Sequence, residues 1–535
     1  MITFDNFPSI YWLIGYVLAG IVILAAFLKK VPPSAFVALA ILLLVYMRLP
    51  VIVLNRELNP DESQMLSHAI TLSQDPVYWR SVDGTTIGPL DNYFLVIPRF
   101  FGFQIDYTSG RAMGLISSIM ALLLLFFSLR NWFPGQFTRS MWLMPVLFLS
   151  FSQEADFVHY SSEQVPVLLL SAAIWLLSLT KENRPNLRTL FFLGLILGLV
   201  PFAKLQAVPL AAVVGLAAMW CCVTHFIKTR QLAPFLLLVS GTVSFPALVL
   251  IWASWNNVFT DFINFYILGN AIYAGGNEVS IIMQFLKILN LSNDFRAYTL
   301  LLGIPLIASF FLLVKHVIKK DKALFVPLLT VSLVLISIYA ATKSGNAFVH
   351  YLNFCIIPWI LFATNGIHTF GNKVVILPLL LLCWFLATDA LEFVQGKQPN
   401  KYVSVGARTL YQSPVVKELK KFTRPGDYMT VWGWQCAYYV EAQLPQGTAE
   451  NHSERCIYAH KMRDTYRQRY MKDLHRNRPA IILDAVGKNS FWVQDVKTQN
   501  IESYPELAQF VKNGYADMGT FDGTKLYVRK DRLSR

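Results

Sequence analysis

The stretch Ser34-Ala-Phe-Val-Ala-Leu-Ala-Ile-Leu-Leu-Leu-Val-Tyr-Met-Arg-Leu-Pro-Val-Ile-Val-Leu54 leads almost directly into Leu58-Asn-Pro-Asp-Glu-Ser-Gln64. An apolar run of this length, wound as a helix, crosses the roughly 30 Å hydrocarbon core of a bilayer. The two carboxylates that follow do not belong in that core, because burying each in lipid costs about 2.5–3.5 kcal/mol even on the lenient insertion scale. A membrane span therefore delivers an acidic pair, Asp61-Glu62, to the membrane surface. The rest of the chain has the same character. Of 535 residues, 55% are apolar, 14% aromatic and only 15% charged, with a mean hydropathy of +0.46. Soluble domains carry about a quarter charged residues, so a water-soluble globular protein is excluded.

Twelve spans are expected, at 8–28, 34–54, 110–130, 140–152, 164–180, 188–204, 206–226, 233–253, 297–316, 324–341, 350–368 and 374–391. The fourth is short and is expected to begin earlier or to tilt. Lys29/Lys30, Arg130/Arg139, Lys181/Arg184/Arg188, Lys228/Arg230, Lys315/Lys319/Lys320/Lys322 and Lys373 fall on alternate loops, which the positive-inside rule assigns to the cytoplasm. Both termini then face outward, as do the pieces 55–109, 153–163 and 254–296. This gives a membrane domain over 1–391 and a soluble outer α/β domain over 392–535. The net charge of +14 concentrates in that tail, where 23 basic residues meet 15 acidic ones. It forms no basic stripe with interleaved aromatics, so nucleic acid is not an expected partner.

The first outer loop reads as short amphipathic helices lying at the interface. Met65, Leu66, Ala69, Ile70 and Leu72 recur at helical spacing, and Trp79, Tyr93, Phe94 and Phe100–Phe103 are expected at headgroup depth. Pro98, Arg99 and Asp91 argue against a thirteenth span there. In the tail, Tyr428–Trp432 and Ala480–Leu483 read as strands separated by charged helical patterns. Of six cysteines, four lie in apolar runs; Cys436 and Cys456 would form a disulfide if that region meets an oxidising compartment. The first apolar run lacks a preceding basic region and reads as a span, not a cleavable signal.

Four constellations carry chemistry. Asp61-Glu62 is either a helix start with first-turn acids behind Asn59-Pro60, or a base able to take a proton from a hydroxyl. Glu154-Ala-Asp156-Phe-Val-His159-Tyr-Ser-Ser-Glu163 is either a solvated loop or a site for a metal or a charged headgroup. Lys204, in Phe202-Ala-Lys-Leu-Gln206, either snorkels or holds a phosphate as a point charge. Lys343-Ser-Gly-Asn346 with His350-Tyr351 lies at another outer edge, and Arg80, Arg99 and Arg111 are further phosphate candidates. Nucleotide-binding Gly-Lys-Ser/Thr loops, Gly-x-Ser-x-Gly elbows, His-Glu-x-x-His and Cys-x-x-Cys pairs are absent, which removes support for ATP-driven pumping and zincin-type hydrolysis.

The ordered set Asn59-Pro-Asp-Glu-Ser-Gln64, Gly88-Pro-Leu90, Ser109-Gly-Arg111, Tyr160-Ser-Ser-Glu163, Pro201-Phe-Ala-Lys204 and His350-Tyr-Leu352 with Pro358 resembles the GT-C glycosyltransferases. The likeness is to bacterial members of the protein O-mannosyltransferase family (glycosyltransferase family 39) and to aminoarabinose and related lipid A sugar transferases. It runs from about residue 55 to 360. It implies a polytopic α-helical GT-C fold of about twelve spans, placed in a bacterial inner membrane with the active site and C-terminal domain on the periplasmic side. It also implies transfer of a sugar, with inversion, from an undecaprenyl-phosphate donor to a lipid-linked glycan such as lipopolysaccharide. A secreted protein is the alternative acceptor. By the same resemblance Asp61 is the general base, assisted by Glu62. Glu163, His159, Lys204, Arg99, Arg111, His350 and Tyr351 bind substrate, and Asp61 with Glu163 would hold a divalent cation (Mg, Mn or Zn) if one is used. The chain departs from the aminoarabinose enzymes at Ile87-Gly-Pro89, where those tend to have Lys-Pro-Pro, and it carries an extra first span. The rival classes are a lipid or sugar transporter, which the one-sided clustering of ionisable residues disfavours, and a non-catalytic scaffold.

Overall fold

The computed structural model describes all residues except 1–3, 5, 181–185, 275–279, 321–323, 368–375, 399–401, 403–407 and 534–535. Lys181, Arg184, Lys322 and Lys373, used above to orient the loops, lie outside the described residues. The chain forms two compact units. The first gathers 1–54, 114–249 and 274–406, and the second gathers 55–113, 250–273 and 407–535.

Each of the twelve expected spans is a helix. Eight are long and apolar enough to cross a membrane on their own: Ile10–Phe27, Pro33–Val53, Tyr107–Trp132, Leu205–Thr229, Ala233–Trp255, Asn293–Ile318, Phe325–Thr342 and Ile376–Val394. The other four, Phe137–Phe151, Gln164–Leu179, Leu187–Ala203 and Asn353–Ile367, have 15 to 17 residues. The chain is thus a multi-pass membrane protein. Phe137–Phe151 starts three residues before the expected edge and buries every residue except Arg139. A helix that is apolar all round belongs inside a bundle, and this one packs Trp142, Phe148 and Phe151 into the core of the first unit.

Helices Leu187–Ala203 and Ala233–Trp255 approach closely through glycine. A Cβ on Gly194 would overlap the Leu238 carbonyl oxygen, and one on Gly241 the Phe191 carbonyl oxygen. Small residues spaced four apart, here Gly194 and Gly198, allow this backbone contact in a setting where lipid offers no hydrophobic drive to pack.

In the second unit the sheet has the order β1-β2-β4-β3, with β1 Met429–Trp432, β2 Ile481–Asp484, β3 Tyr515–Phe521 and β4 Thr524–Arg529. β1 and β2 pair in parallel, Met429 opposite Ile481, and are buried throughout, as strands covered on both faces must be. The crossover between them carries the helix Arg463–Asn477. β3 and β4 form a hairpin whose two-residue turn, Asp522-Gly523, has φ +48° and +83°, the left-handed pair that such turns require.

The first outer loop forms the short helices Pro60–Leu72, Pro89–Phe94 and Ile97–Phe100; the last two, of six and four residues, cannot span a bilayer. Phe100, Phe101 and Phe103 are strongly exposed. Trp79 departs from expectation. It is buried against Trp252, Phe262 and Tyr266, because a second aromatic group from residues 250–273 reaches it before lipid can. For Cys436 and Cys456 the sequence leaves a disulfide and two free thiols both open; both are free and buried. The Cys436 thiol instead meets the Asn451 carbonyl at 3.7 Å, and the Cys456 thiol meets the Glu450 carboxylate at 3.9 Å.

Candidate functional site

In the second unit the site is built on the start of helix Pro60–Leu72. Asn59 is extended, and its Oδ1 accepts the Asp61 backbone N–H at 3.0 Å, while Pro60 takes the first helical position. The cap is therefore Asn59, and neither acid is needed for it. Asp61 is half-buried and Glu62 fully buried. Arg111 grips Glu62 in a fork, Nε to Oε1 at 2.8 Å and Nη2 to Oε2 at 2.7 Å, with neither side chain exposed. The same guanidinium donates to the Arg56 carbonyl at 2.7 Å and stands over the Tyr107 ring. Two parallel charge-assisted bonds hold Glu62 in one orientation. Ser63 Oγ donates to Glu57 and lies 2.8 Å from Tyr107 Oη. Burial, with the negative charges of Glu62, Glu441 and Asp61 adding to it, pushes the Glu57 carboxyl up to about 7.

The rear of this helix is held by the tail. Asn451 Nδ2 donates to the Gln64 carbonyl at 2.9 Å and to Ser67 Oγ at 2.5 Å. The Gln446 N–H donates to Thr71 Oγ1 at 3.0 Å, and Gln64 Nε2 lies 3.3 Å from His452 Nε2. His452 stacks flat on Trp434, ring centres 4.0 Å apart; burial and the nearby Arg455 lower its pKa to about 3, so it stays neutral. Behind it Arg469 pairs with Asp83 and lies 3.8 Å from Glu450. Arg99 is exposed at the end of Ile97–Phe100, and Arg80 pairs with Asp75 at 2.6 Å.

The first unit brings together Asp156, His159, Glu163, Lys204, His350 and Tyr351. Lys204 ends helix Leu187–Ala203 in extended backbone. Its Nζ donates to Glu163 Oε1 and to Ser162 Oγ, the latter at 2.6 Å, and sits 5.1 Å from the Tyr351 ring centre. Burial alone would raise the Glu163 carboxyl, but Lys204, His350 and His159 together hold it below its usual value. His350 Nδ1 lies 3.1 Å from Asp156 Oδ1. Here too burial opposes, and it is outweighed only by the His350 side-chain and backbone hydrogen bonds together with the charges of His159 and His350, which keep Asp156 low. His159 Nδ1 is 2.6 Å from the Ala155 carbonyl, which makes Nδ1 the donor. His159 Nε2, Ser161 Oγ and Glu163 Oε2 are buried with no hydrogen-bond partner. Buried polar atoms are nearly always satisfied, so three unpartnered ones on one five-residue loop leave hydrogen-bonding capacity for a polar ligand.

Among the described residues no three His, Cys, Asp or Glu side chains gather as a metal centre would need. In the first unit Glu163 Oε2 and His159 Nε2 are buried without a hydrogen-bond partner and could face a cation. These donors do not by themselves make a metal centre.

Glu57 and the supports Asn451, His452 and Arg469 escape sequence reasoning. Glu57 lies four residues before Asp61 and carried a faint signal as a charge at a span's end. The tail residues carried none.

No family model matches the chain, and no curated protein matches it in sequence. Solved structures do. The chain is similar to ArnT from Cupriavidus metallidurans bound to undecaprenyl phosphate, with a TM-score of 0.54 at 11% sequence identity, over 93% of this chain and 98% of that one. It is equally similar to the same protein in its apo state, with a TM-score of 0.53 at 12% identity over 92% and 98%. The chain shares the fold of those ArnT structures, a polytopic helical fold of the kind its motifs implied.

Proposed function

We propose that the chain is an integral-membrane glycosyltransferase. It moves one sugar from an undecaprenyl-phosphate donor to a hydroxyl of a lipid-linked glycan such as lipopolysaccharide, on the outer face of a bacterial inner membrane. The observation that carries the reading is the likeness to ArnT along nearly the whole chain, including a relative bound to undecaprenyl phosphate. The locally built acid sites support it. Asp61, half-buried and not needed for the cap, takes the acceptor hydroxyl's proton as its oxygen attacks the anomeric carbon. The bond from that carbon to the phosphate oxygen breaks, the phosphate leaves with the electron pair, and attack from the opposite face inverts the centre. Glu62 and Arg111 fix the helix that presents Asp61. Lys204 is the point charge that meets the phosphate, with Arg99 and His350 as further donors, and placing such charge in advance where negative charge accumulates lowers the barrier. Tyr351 backs the ammonium, and His159 with Glu163 receives sugar hydroxyls.

The test is transfer of labelled sugar from a panel of synthetic polyprenyl-phosphate sugars to membrane extract, comparing the native protein with Asp61→Asn. One donor consumed by the native protein, and a loss of about 10²–10⁴ in the variant, is the expected result. Equal activity in both sinks the assignment. Exhaustive chelation of the purified protein decides whether Asp61 and Glu163 serve a divalent cation: unchanged transfer means they do not.

A further inference from the structure

A second candidate site lies within the first unit, where the ends of helices Ile10–Phe27 and Tyr107–Trp132 meet the starts of Pro33–Val53 and Phe137–Phe151. A cavity of about 410 Å³ opens there, and its lining includes Lys29, Arg130 and Arg139 and no acidic residue. Among the described residues none of these three cations forms an ion pair. The guanidinium of Arg130 lies over the Phe126 ring at 5.8 Å, and that of Arg139 over the Phe36 ring at 5.6 Å. Neither ring supplies an oxygen acceptor, so these contacts leave the guanidinium N–H donors available to an anion. Only one contact draws on them here, Arg139 Nη1 to the Ala25 carbonyl at 3.4 Å.

The wall is built rather than accidental. Gln136 Nε2 donates to the carbonyls of Ala26, at 3.1 Å, and of Phe27. It thereby ties the 133–136 turn to the last carbonyls of helix Ile10–Phe27, which have no partner within the helix. Three like charges converging on one cavity repel one another unless an anion sits among them. A bidentate guanidinium pair with an ammonium suits the oxygens of a phosphate. These helix ends carry the Lys/Arg bias that marks the cytoplasmic side, and basic pockets between spans on that side suit anionic headgroups.

We propose that Lys29, Arg130 and Arg139 form a phosphate-binding site. Its ligand is either the phosphodiester of an anionic glycerophospholipid or a soluble phosphate, and the chemistry is common to both.

The experiment uses the full chain in nanodiscs of phosphatidylcholine with or without phosphatidylglycerol, reading bound lipid by native mass spectrometry after exchange into detergent. The site variant is Lys29→Gln with Arg130→Gln, which leaves Arg139 and its helix contact in place. Lys319→Gln with Lys320→Gln on another basic loop is the control. Retained phosphatidylglycerol in the native protein is expected, with binding weaker by on the order of thirtyfold in the site variant and unchanged in the control. Retention that withstands millimolar inorganic phosphate identifies the lipid as the source. Displacement by phosphate, with phosphate itself bound, identifies the soluble anion. Equal loss in site variant and control reduces the three cations to a general charge bias and overturns the proposal. So does a native protein that binds neither probe.

Discussion

Two buried acids, Glu62 and Glu163, each face one cation, and they are held in opposite ways. Glu62 is gripped by Arg111 through both oxygens. Glu163 gives one oxygen to Lys204 and keeps the other buried without a hydrogen-bond partner. The guanidinium fork closes a geometry, whereas the ammonium is a compact point charge that also touches Ser162 and the Tyr351 ring. The first pair is a fastening. The second has spare capacity, as a group that must receive and release a ligand requires.

This contrast can be broken in several ways. The largest effect is expected at neither acid but beside one of them: Asp61→Asn should lower transfer by about 10²–10⁴ while leaving the thermal midpoint in detergent near the native value. Next is Glu62→Gln, which strands a buried guanidinium and should cost about 3–5 kcal/mol in stability, seen as a large drop in that midpoint. If Glu62→Gln unfolds at the native temperature, the fork is not a fastening. Glu163→Gln should cost less, about 1–3 kcal/mol, because Lys204 keeps its other partners, yet it should raise KM for the donor; a variant with native KM would remove Glu163 from substrate binding.

The smallest effect is in pH dependence and differs in sign between the regions. Glu57 holds its proton to about 7 when folded and releases it near the usual carboxylate value when unfolded. The folded state therefore binds more protons, and stability falls as pH rises from about 4.5 to about 7. Glu163 is depressed, so its contribution is present above its unfolded value and is lost as pH falls through the folded one. Glu57→Gln should flatten the loss across the first window by about 1–3 °C in the midpoint, while leaving behaviour below pH 4 unchanged.

The spans were legible because apolar length and flanking charge are local properties. Every expected span is a helix, and the short fourth one, expected to begin earlier or to tilt, begins earlier, at Phe137. The Asn59 cap was legible too, since Asn-Pro-Asp-Glu is a local helix start. What could not be read were partnerships between distant residues. Arg111 reads as an isolated cation until the fold brings it 49 positions back to Glu62. Trp79 looks like an interface anchor because nothing nearby shows that Phe262 and Tyr266 will cover it. Asn451 and His452 stand in an unremarkable polar run, and only tertiary contact reveals that they seat the helix bearing Asp61.

That last arrangement bears on how the protein is made. Gln64 and Asn451 are 387 residues apart. At 5–20 residues per second a ribosome needs about 20–80 s to travel between them. Throughout that interval the helix bearing Asp61 lacks the backbone and side-chain partners that later fix its rear face. The start of that helix can be fastened early by Arg111, whereas its rear face gains its partners only near the end of synthesis.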